Sequence, residues 1–224
     1  MTAFGPPLLR LGGDRAESSS GGRTLSTGLS SASEYGRPMA EMNRVGRFFV
    51  NRSAARRSGR RIRWISENVS IPTAALCLEI GCGNAAFASR FVSRWQPRRY
   101  LATDLDPRQL HEAEATIRRR FPAGAPPSLQ LCRADMLRLP VPDGSLDLVL
   151  AFVSVHHASP THHDFSKVPR ALEEIDRVLR SGGLFVYSEM FHMEPIRAWL
   201  LQHGFTLSRV ERRFRLESVV ARRP

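Results

Sequence analysis

The chain beyond Ala74 alternates short runs of apolar residues with segments whose apolar residues recur at helical spacing. The apolar runs predict strands at 75–80, 100–104, 128–132, 146–151 and 184–188. The helical spacing predicts helices from Asn84 and over 107–121, 166–179 and 195–203. Strands that alternate with helices are typical of an α/β fold, so we expect a doubly wound parallel sheet.

The C-terminal end of the chain has a different pattern. Gly204 follows the last predicted helix in the position where glycine commonly ends helices. Apolar and polar residues then alternate over 205–210 and 214–220. Because only a few residues separate these two segments, they predict an antiparallel hairpin at the edge of the sheet.

The N-terminal third divides into two parts. Residues 1–42 are rich in Ser, Gly and Arg without a hydrophobic period, which predicts a disordered tail. In 43–68 the apolar residues Ile62 and Ile65, continued by Val69 directly after this segment, form one stripe among arginines. We therefore expect one or two helices that lean on the core, and treat 43–73 as a helical lid or cap and 74–224 as the main domain.

The formal charge of +12 is unevenly distributed, because residues 1–70 hold 12 arginines and only 5 acidic residues. Such an excess raises nucleic acid as a partner, but it lies mostly outside the predicted core, so RNA binding is kept as a secondary hypothesis. The sequence offers no membrane span and no signal segment. Its three cysteines are odd in number and form no C-x-x-C pair, so we expect the cytoplasm.

Polar residues follow the first three predicted strands where each strand ends. Gly81 and Gly83 follow the first strand, and Asn84 is placed to cap the next helix. Asp104 ends the second strand, where a carboxylate accepts hydrogen bonds from ribose hydroxyls, and Asp135 follows the third. An acid with an apolar neighbour at that point suits the exocyclic amine and face of a purine. Since the carboxyl ends of parallel strands share one rim, the three signals converge.

Four segments, CLEIGCGNA, YLATDLDP, RADMLRLPVPDGSLDLVLAFVSVHH and IDRVLRSGGLFVYSE, together resemble a class I S-adenosylmethionine-dependent methyltransferase. The closest resemblance is to the small quinone-biosynthesis type of domain. It implies a Rossmann-like sheet of seven strands whose last strand is antiparallel, with S-adenosylmethionine as the cofactor. The family's usual third glycine is Ala85 here, a small residue that still permits close packing of the helix.

The resemblance also implies cofactor-binding positions. Glu79, Gly81 and Gly83 would face the methionine moiety, and Asp104 the ribose. Asp135 and Met136 would face the adenine, and the backbone near Phe152 would contact the methionyl amino group. The expected function is methyl transfer to a small-molecule acceptor that the sequence does not identify.

The stretch HHASPTHHD contains the candidates for proton transfer and for metal binding. His157, beside His156, is the first candidate for a general base because imidazole titrates near neutral pH. We predict no metal site, since no zinc spacing is matched and adjacent histidines on a strand would point to opposite faces.

Two other function classes remain open. A nicotinamide-dependent reductase would also use a glycine loop and an acid after the second strand. Against it, His163 stands where a Tyr-x-x-x-Lys pair with Lys167 would need tyrosine. A non-catalytic binding module or scaffold would keep the same cofactor residues. The segment VSVHH replaces the Asn/Asp-Pro-Pro-aromatic motif of the family members that methylate exocyclic amines, which favours other acceptor atoms.

Overall fold

The structure, a computed structural model, describes residues 44–224, with side chains from residue 56 onward. The tail predicted for 1–42 lies outside the described residues. Seven strands form one sheet: β1 Leu76–Ile80, β2 Arg99–Asp104, β3 Leu129–Arg133, β4 Leu146–Phe152, β5 Leu179–Glu189, β6 Thr206–Arg213 and β7 Leu216–Arg222. Five α-helices accompany it: α1 Arg44–Asn68, α2 Ala86–Trp95, α3 Pro107–Arg120, α4 Val168–Val178 and α5 Met193–Gln202.

The strands lie in the order β3-β2-β1-β4-β5-β7-β6. Strands β1 to β5 pair in parallel, whereas β7 is antiparallel to both β5 and β6. The expected doubly wound α/β sheet with an antiparallel C-terminal hairpin is therefore confirmed. The order reverses between β1 and β4, and the crevice outside the carboxyl ends of these strands is where such sheets bind ligands.

Both faces of the sheet are covered by apolar side chains. One cluster joins β1, β2 and β4 to α1, α2 and α3 through residues such as Phe91 and Leu148. The other packs β4, β5 and β7 against α4 and α5 through residues such as Ile175 and Leu200. The central strands are apolar on both faces because helices shield both, which explains their nearly continuous hydrophobic runs.

Helix α1 is a single long helix, and its predicted apolar stripe faces the core. Ile65 is fully buried and Val69 nearly so, while Ile62 packs against the same cluster. The Trp64 ring nitrogen Nε1 donates to Glu211 on β6 over 2.9 Å. The helix thus crosses from α2 toward the far edge of the sheet, and it is an integral part of the fold.

One element was not expected from the sequence: a short 3-10 helix, Val155–Ala158, directly after β4. It contains the first two histidines of HHASPTHHD, which the sequence had placed at the end of a strand. Across residues 44–224, no helix combines the length and the hydrophobicity that crossing a membrane requires.

Candidate active site

The loop between β1 and α2 is shaped by two glycines in the left-handed region of backbone space. Gly81 has φ +68°, and a Cβ atom there would lie 2.6 Å from the Cβ of Ser154, so this loop touches the segment after β4. Gly83 has φ +54° and no comparably close neighbour. Asn84 accepts a hydrogen bond from the Ala86 N–H over 3.3 Å, but the N-cap of α2 is Ala85, without a side-chain cap, so the expected cap at Asn84 was wrong.

Asp104, the last residue of β2, is tied to that glycine loop. Its Oδ2 accepts the Gly83 N–H over 2.9 Å, and its Oδ1 accepts the Asp106 N–H over 3.0 Å. Burial raises the pKa of Asp104, although these backbone hydrogen bonds favour the carboxylate. Asp106 itself caps α3 through the Arg108 N–H. Asp104 therefore faces the rim, and Asp106 has the structural role that its position before Pro107 indicated.

Asp135 lies at the same rim, in the loop after β3. Its Oδ1 accepts the N–H of Leu137 over 2.9 Å, which closes a tight turn. The N–H of Ala134 donates to the Asp104 carbonyl over 3.1 Å and brings the two acids into neighbouring loops. Met136 packs on the second apolar cluster, while Leu105 is 53% exposed beside Asp104. Leu105 was not among the predicted site residues, although its place directly after Asp104 in YLATDLDP could have pointed to it.

Glu79 is the buried acid of the site, only 3% exposed on β1. The hydroxyl of Tyr100 donates to its Oε2 over 2.8 Å. Burial raises the pKa of Glu79 to about 8, while Tyr100 and the positive charge of Arg61 oppose the rise. A carboxyl group with this pKa is poised to ionise when a cationic group approaches.

Arg61 extends from α1 to the rim, which the sequence did not indicate for any particular arginine. Its guanidinium carbon lies 4.8 Å from the ring centroid of Phe152, at the end of β4. Burial lowers the pKa of Arg61 to about 10, and the negative charges of Glu79 and Glu189 partly offset that effect. The helical segment before β1 thus contributes a cation between two buried acids.

The chain turns sharply at the end of β4. Val153 has φ +59°, an uncommon conformation for a β-branched residue. The turn leads into the 3-10 helix and places the Nδ1 atom of His156 2.7 Å from Oε2 of Glu189. Both side chains are buried, and Oε1 of Glu189 accepts the N–H groups of Ser154 and Val155. Glu189 therefore fixes both the turn and the imidazole.

His157 and His162 lie beside this pair on the protein surface. The ring centroid of His157 is 4.0 Å from that of His156, and the ring of His162 is 5.0 Å from it. Partial burial and the two neighbouring imidazoles lower the pKa of His157. The sequence-based argument against convergence was wrong in its premise, because His156 and His157 lie on a 3-10 turn and not on a strand.

The predicted residues thus gather along one rim. The loops after β1, β2 and β3 supply carboxylates, backbone N–H groups and an apolar flank, a combination suited to a nucleoside with a charged substituent. The ends of β4 and β5 add Phe152, Glu189 and the histidines. Arg61 and the pairing of His156 with Glu189 were missed because they join elements far apart in the sequence.

Comparison with known proteins agrees with this geometry. Residues 78–187 match the profile of the family described as "Methyltransferase domain". An uncharacterized chloroplastic methyltransferase of Arabidopsis thaliana is 28% identical over 156 residues, which cover 67% of this chain and 42% of that protein. A phthiotriol/phenolphthiotriol dimycocerosates methyltransferase of Mycobacterium tuberculosis is 33% identical over 122 residues, 54% of this chain and 40% of that protein.

The chain therefore spans about two fifths of the length of these curated relatives. Among solved structures, the N-methyltransferase NodS of Bradyrhizobium japonicum, in complex with S-adenosyl-L-homocysteine, is similar in fold. The TM-score is 0.59 at 16% identity, over 75% of this chain and 86% of that one.

Proposed function

We propose that this chain is a class I S-adenosylmethionine-dependent methyltransferase that transfers a methyl group to a small-molecule acceptor. The match of residues 78–187 to the family described as "Methyltransferase domain" supports the proposal, and so does the fold shared with a methyltransferase of known structure. The observation that carries the proposal is the rim itself. It combines the glycine loop after β1 with Asp104 at the end of β2 and Asp135 after β3, in the order of the methionyl, ribose and adenine groups of the cofactor.

The nucleoside end of the ligand fits the loops after β2 and β3. The Asp104 carboxylate would accept hydrogen bonds from the ribose hydroxyls. These bonds would either replace the hydrogen bond from the Gly83 N–H or form beside it. Asp135 is our candidate for the adenine amine. Met136 and the exposed Leu105 supply apolar surface for the faces of the purine.

The amino acid end fits the pair formed by Glu79 and Arg61. A methionyl group carries an ammonium and a carboxylate, and the site offers a buried acid and a half-buried guanidinium in mutual electrostatic contact. Ionised Glu79 would stabilise the ammonium, directly or through the loop at Gly81, and Arg61 would pair with the carboxylate. The backbone near Phe152 would close this end of the site.

S-adenosylmethionine supplies an electrophilic methyl group that an acceptor takes by in-line displacement at carbon. The protein's part is alignment, with the acceptor held on the side of the rim where β4 and β5 end. His157 stays our candidate for a general base, and an acceptor that ionises by itself needs none. Helix α1 would serve as a lid over the methionyl end through Arg61.

The acceptor is proposed as a small molecule that presents oxygen, carbon, sulfur or a nitrogen other than an exocyclic amine. The segment VSVHH after β4 lacks the Asn/Asp-Pro-Pro-aromatic motif associated with exocyclic amines. The curated relative from Mycobacterium tuberculosis is named for phthiotriol/phenolphthiotriol dimycocerosates as acceptors, which supports an acceptor other than a nucleic acid here. A reducing compartment such as the cytoplasm is part of the proposal, because Cys77, Cys82 and Cys132 are all free thiols.

Calorimetric titration of the full chain with S-adenosylmethionine, S-adenosylhomocysteine and NADH tests the proposal. We expect both adenosyl ligands to bind and the Asp104→Ala variant to bind them at least ~10-fold more weakly, as expected for lost charge-assisted hydrogen bonds. Asp106→Ala is the matched control, since that carboxylate caps α3 and should cost stability only.

Binding of NADH in place of the adenosyl ligands would overturn the proposal in favour of a reductase. A folded chain that binds none of the three would instead support a scaffold. If the adenosyl ligands bind, acceptor screening with a radiolabelled methyl donor then tests turnover on small oxygen, carbon and sulfur nucleophiles against RNA.

A further inference from the structure

Three imidazoles form a cluster outside the proposed cofactor-binding residues. One of them, His157, is also the candidate general base, a role that a bound metal ion would replace. We call His156, His157 and His162 the histidine cluster. One ligand atom from each ring lies within 4.8 Å of those of the other two. The loop 159–161 folds back so that a histidine from beyond the 3-10 helix joins the two within it. The sequence separation of five and six residues matches no familiar zinc motif, which is why spacing alone did not reveal the cluster.

His156 is held in the orientation of a metal ligand. The Nδ1 atom of His156 lies 2.7 Å from Oε2 of Glu189. A carboxylate only accepts hydrogen bonds, so opposite an ionised Glu189 the Nδ1 atom carries the hydrogen. In the neutral ring the Nε2 atom then has a lone pair and no hydrogen. A carboxylate behind an imidazole is the usual companion of a metal-bound histidine, because it fixes the tautomer and raises the basicity of the ligand nitrogen.

Glu189 is itself rigidly placed. It is completely buried, and its Oε1 accepts two backbone N–H groups, from Ser154 at 2.9 Å and from Val155 at 2.7 Å. These bonds hold the carboxylate against the same 3-10 helix that carries His156. A completely buried carboxyl group thus orients one imidazole. A histidine that only lines the wall of a pocket does not require such a partner.

The other two rings lie close to the spacing that an ion requires. Both His157 and His162 are on the solvent-exposed side of the cluster, from which an ion can enter. Zn–N bonds of about 2.1 Å in tetrahedral geometry place ligand nitrogens about 3.4 Å apart, so the rings need to approach by little more than ~1 Å. Phe191 stacks on His162, with centroids 4.9 Å apart at 13°, and also contacts His156. The Phe191 ring covers one side of the cluster, so the imidazoles of His156 and His162 can move only toward the other side.

We propose that the histidine cluster binds one divalent transition-metal ion through three imidazole nitrogens, with Glu189 as the positioning residue behind His156. Zinc is the expected occupant, because neutral imidazoles favour zinc, copper and nickel over magnesium and calcium, which prefer oxygen ligands. Three protein ligands leave a fourth position open toward solvent, as in catalytic zinc sites. The ion would lie next to the cofactor rim, since Glu189 also interacts electrostatically with Arg61.

The test is a titration of the full chain, free of any histidine tag, with Zn²⁺, Co²⁺ and Mg²⁺ in the absence of cofactor. We expect one Zn²⁺ per chain with micromolar or tighter affinity, visible d–d absorption from bound Co²⁺, and no binding of Mg²⁺. The double variant His157→Ala/His162→Ala removes two exposed rings and should fold normally. This variant should no longer bind one Zn²⁺ per chain, and Co²⁺ added to it should show no d–d absorption from a bound ion.

His163→Ala is the matched control, because His163 is the adjacent exposed histidine and lies outside the cluster. It should bind zinc like the unmodified chain. Glu189→Gln should weaken zinc binding by about 10- to 100-fold, as removal of an orienting partner does elsewhere. A circular-dichroism melt checks that each variant is folded.

Two results would overturn the proposal: no zinc binding by the unmodified chain, or equal zinc binding by the double variant. Because no adenosyl ligand is present, failure here leaves the proposed methyl transfer untouched. Conversely, zinc can bind to a chain that fails to bind S-adenosylmethionine.

Discussion

The rim has two halves that are built differently. The half that we propose to bind the cofactor, called the cofactor half, lies at the ends of β1 and β2 and consists of Glu79, Gly81, Gly83 and Asp104. The contacts of Asp104 join backbone N–H groups to its carboxylate. The histidine half, at the ends of β4 and β5, consists of the histidine cluster and Glu189, and its main contact joins two side chains. The first half depends on turn geometry, and the second depends on tertiary packing.

This difference separates what a fold supplies from what a chain adds to it. A glycine turn and an acid at the strand ends follow from the requirements of a nucleoside at the switch point of the sheet. A buried carboxylate paired with a buried imidazole is not required by the fold, so it points to a property of this chain. The two halves touch where the Gly81 loop meets Ser154.

The largest expected effect comes from breaking that contact with Gly81→Ala. A Cβ at 2.6 Å from the Ser154 Cβ forces the two loops apart, and φ +68° adds strain for alanine. We expect a loss of about 2–5 kcal/mol in the free energy of unfolding. Affinity for S-adenosylmethionine should fall at least ~100-fold as the loop shifts, in line with the conversion of about 1.4 kcal/mol per tenfold. Urea denaturation and calorimetry measure the two quantities.

Gly83→Ala is the control for this prediction. Its φ of +54° brings the same kind of backbone strain, but the nearest atom to the new Cβ is the Gln109 Oε1 at 3.7 Å. The expected cost is therefore only about 1–2 kcal/mol. Equal effects of the two substitutions would mean that backbone conformation alone, and not the contact between the halves, sets the loop.

The positions of the cofactor half could be predicted because they lie in or directly after apolar runs. Glu79 lies within the first run, the two glycines follow it, and Asp104 ends the second run. Strand ends fix where Gly81, Asp104 and Asp135 lie, whatever the rest of the chain does. The strand boundaries were less accurate. β5 starts at Leu179 and not at 184, because the segment with Gly182 and Gly183 continues the sheet although it contains no apolar run.

The histidine half could not be predicted from local patterns. His156 and Glu189 are 33 residues apart, and they meet only because β4 and β5 are neighbours in the sheet. Val153 has φ +59°, and this turn directs the chain into the 3-10 helix. A valine in a strand-like run predicts instead that the strand continues. Arg61 is one of several arginines in α1, and only the packing of α1 on the sheet shows that this one reaches the rim.

A second, smaller effect is expected from the buried acid of the cofactor half. Burial raises the pKa of Glu79 from 4.5 to about 8 in the folded protein. Below pH 4.5 the carboxyl is protonated in both folded and unfolded chains. Between that pH and about 8 the unfolded chain ionises first, so stability falls as pH rises, and above about 8 the loss is complete.

Glu79→Gln should remove this dependence. We compare the free energy of unfolding of the unmodified chain with that of the Gln variant. Between pH 5 and pH 9 this difference should fall by about a few kcal/mol, the order expected from the raised pKa of Glu79. Urea denaturation at pH 5, 7 and 9 measures it, with Glu194→Gln on the exposed face of α5 as the control. Parallel pH profiles for all three proteins would contradict the buried, protonated state of Glu79.

The smallest expected effect concerns Arg61, the residue of α1 that reaches both halves. Arg61→Gln should weaken binding of S-adenosylhomocysteine about 10- to 100-fold, because hydrogen bonds to charged groups contribute about 1.5–3 kcal/mol. It should leave the affinity for 5′-methylthioadenosine unchanged, since that ligand lacks the amino acid group. Arg63→Gln, on the exposed face of the same helix, should change neither affinity more than about 2-fold, as is usual for surface positions.

The pair of ligands distinguishes a direct contact from a structural role. If Arg61 only supports α1 through its contact with Phe152, the loss of affinity will be equal for both ligands. If it pairs with the methionyl carboxylate, only the ligand that carries that group will be affected. Equal affinities in the Arg61→Gln variant and the unmodified chain would remove α1 from the cofactor site. The lid would then have to act on the acceptor alone, and the two halves of the rim would be linked only through Gly81 and Ser154.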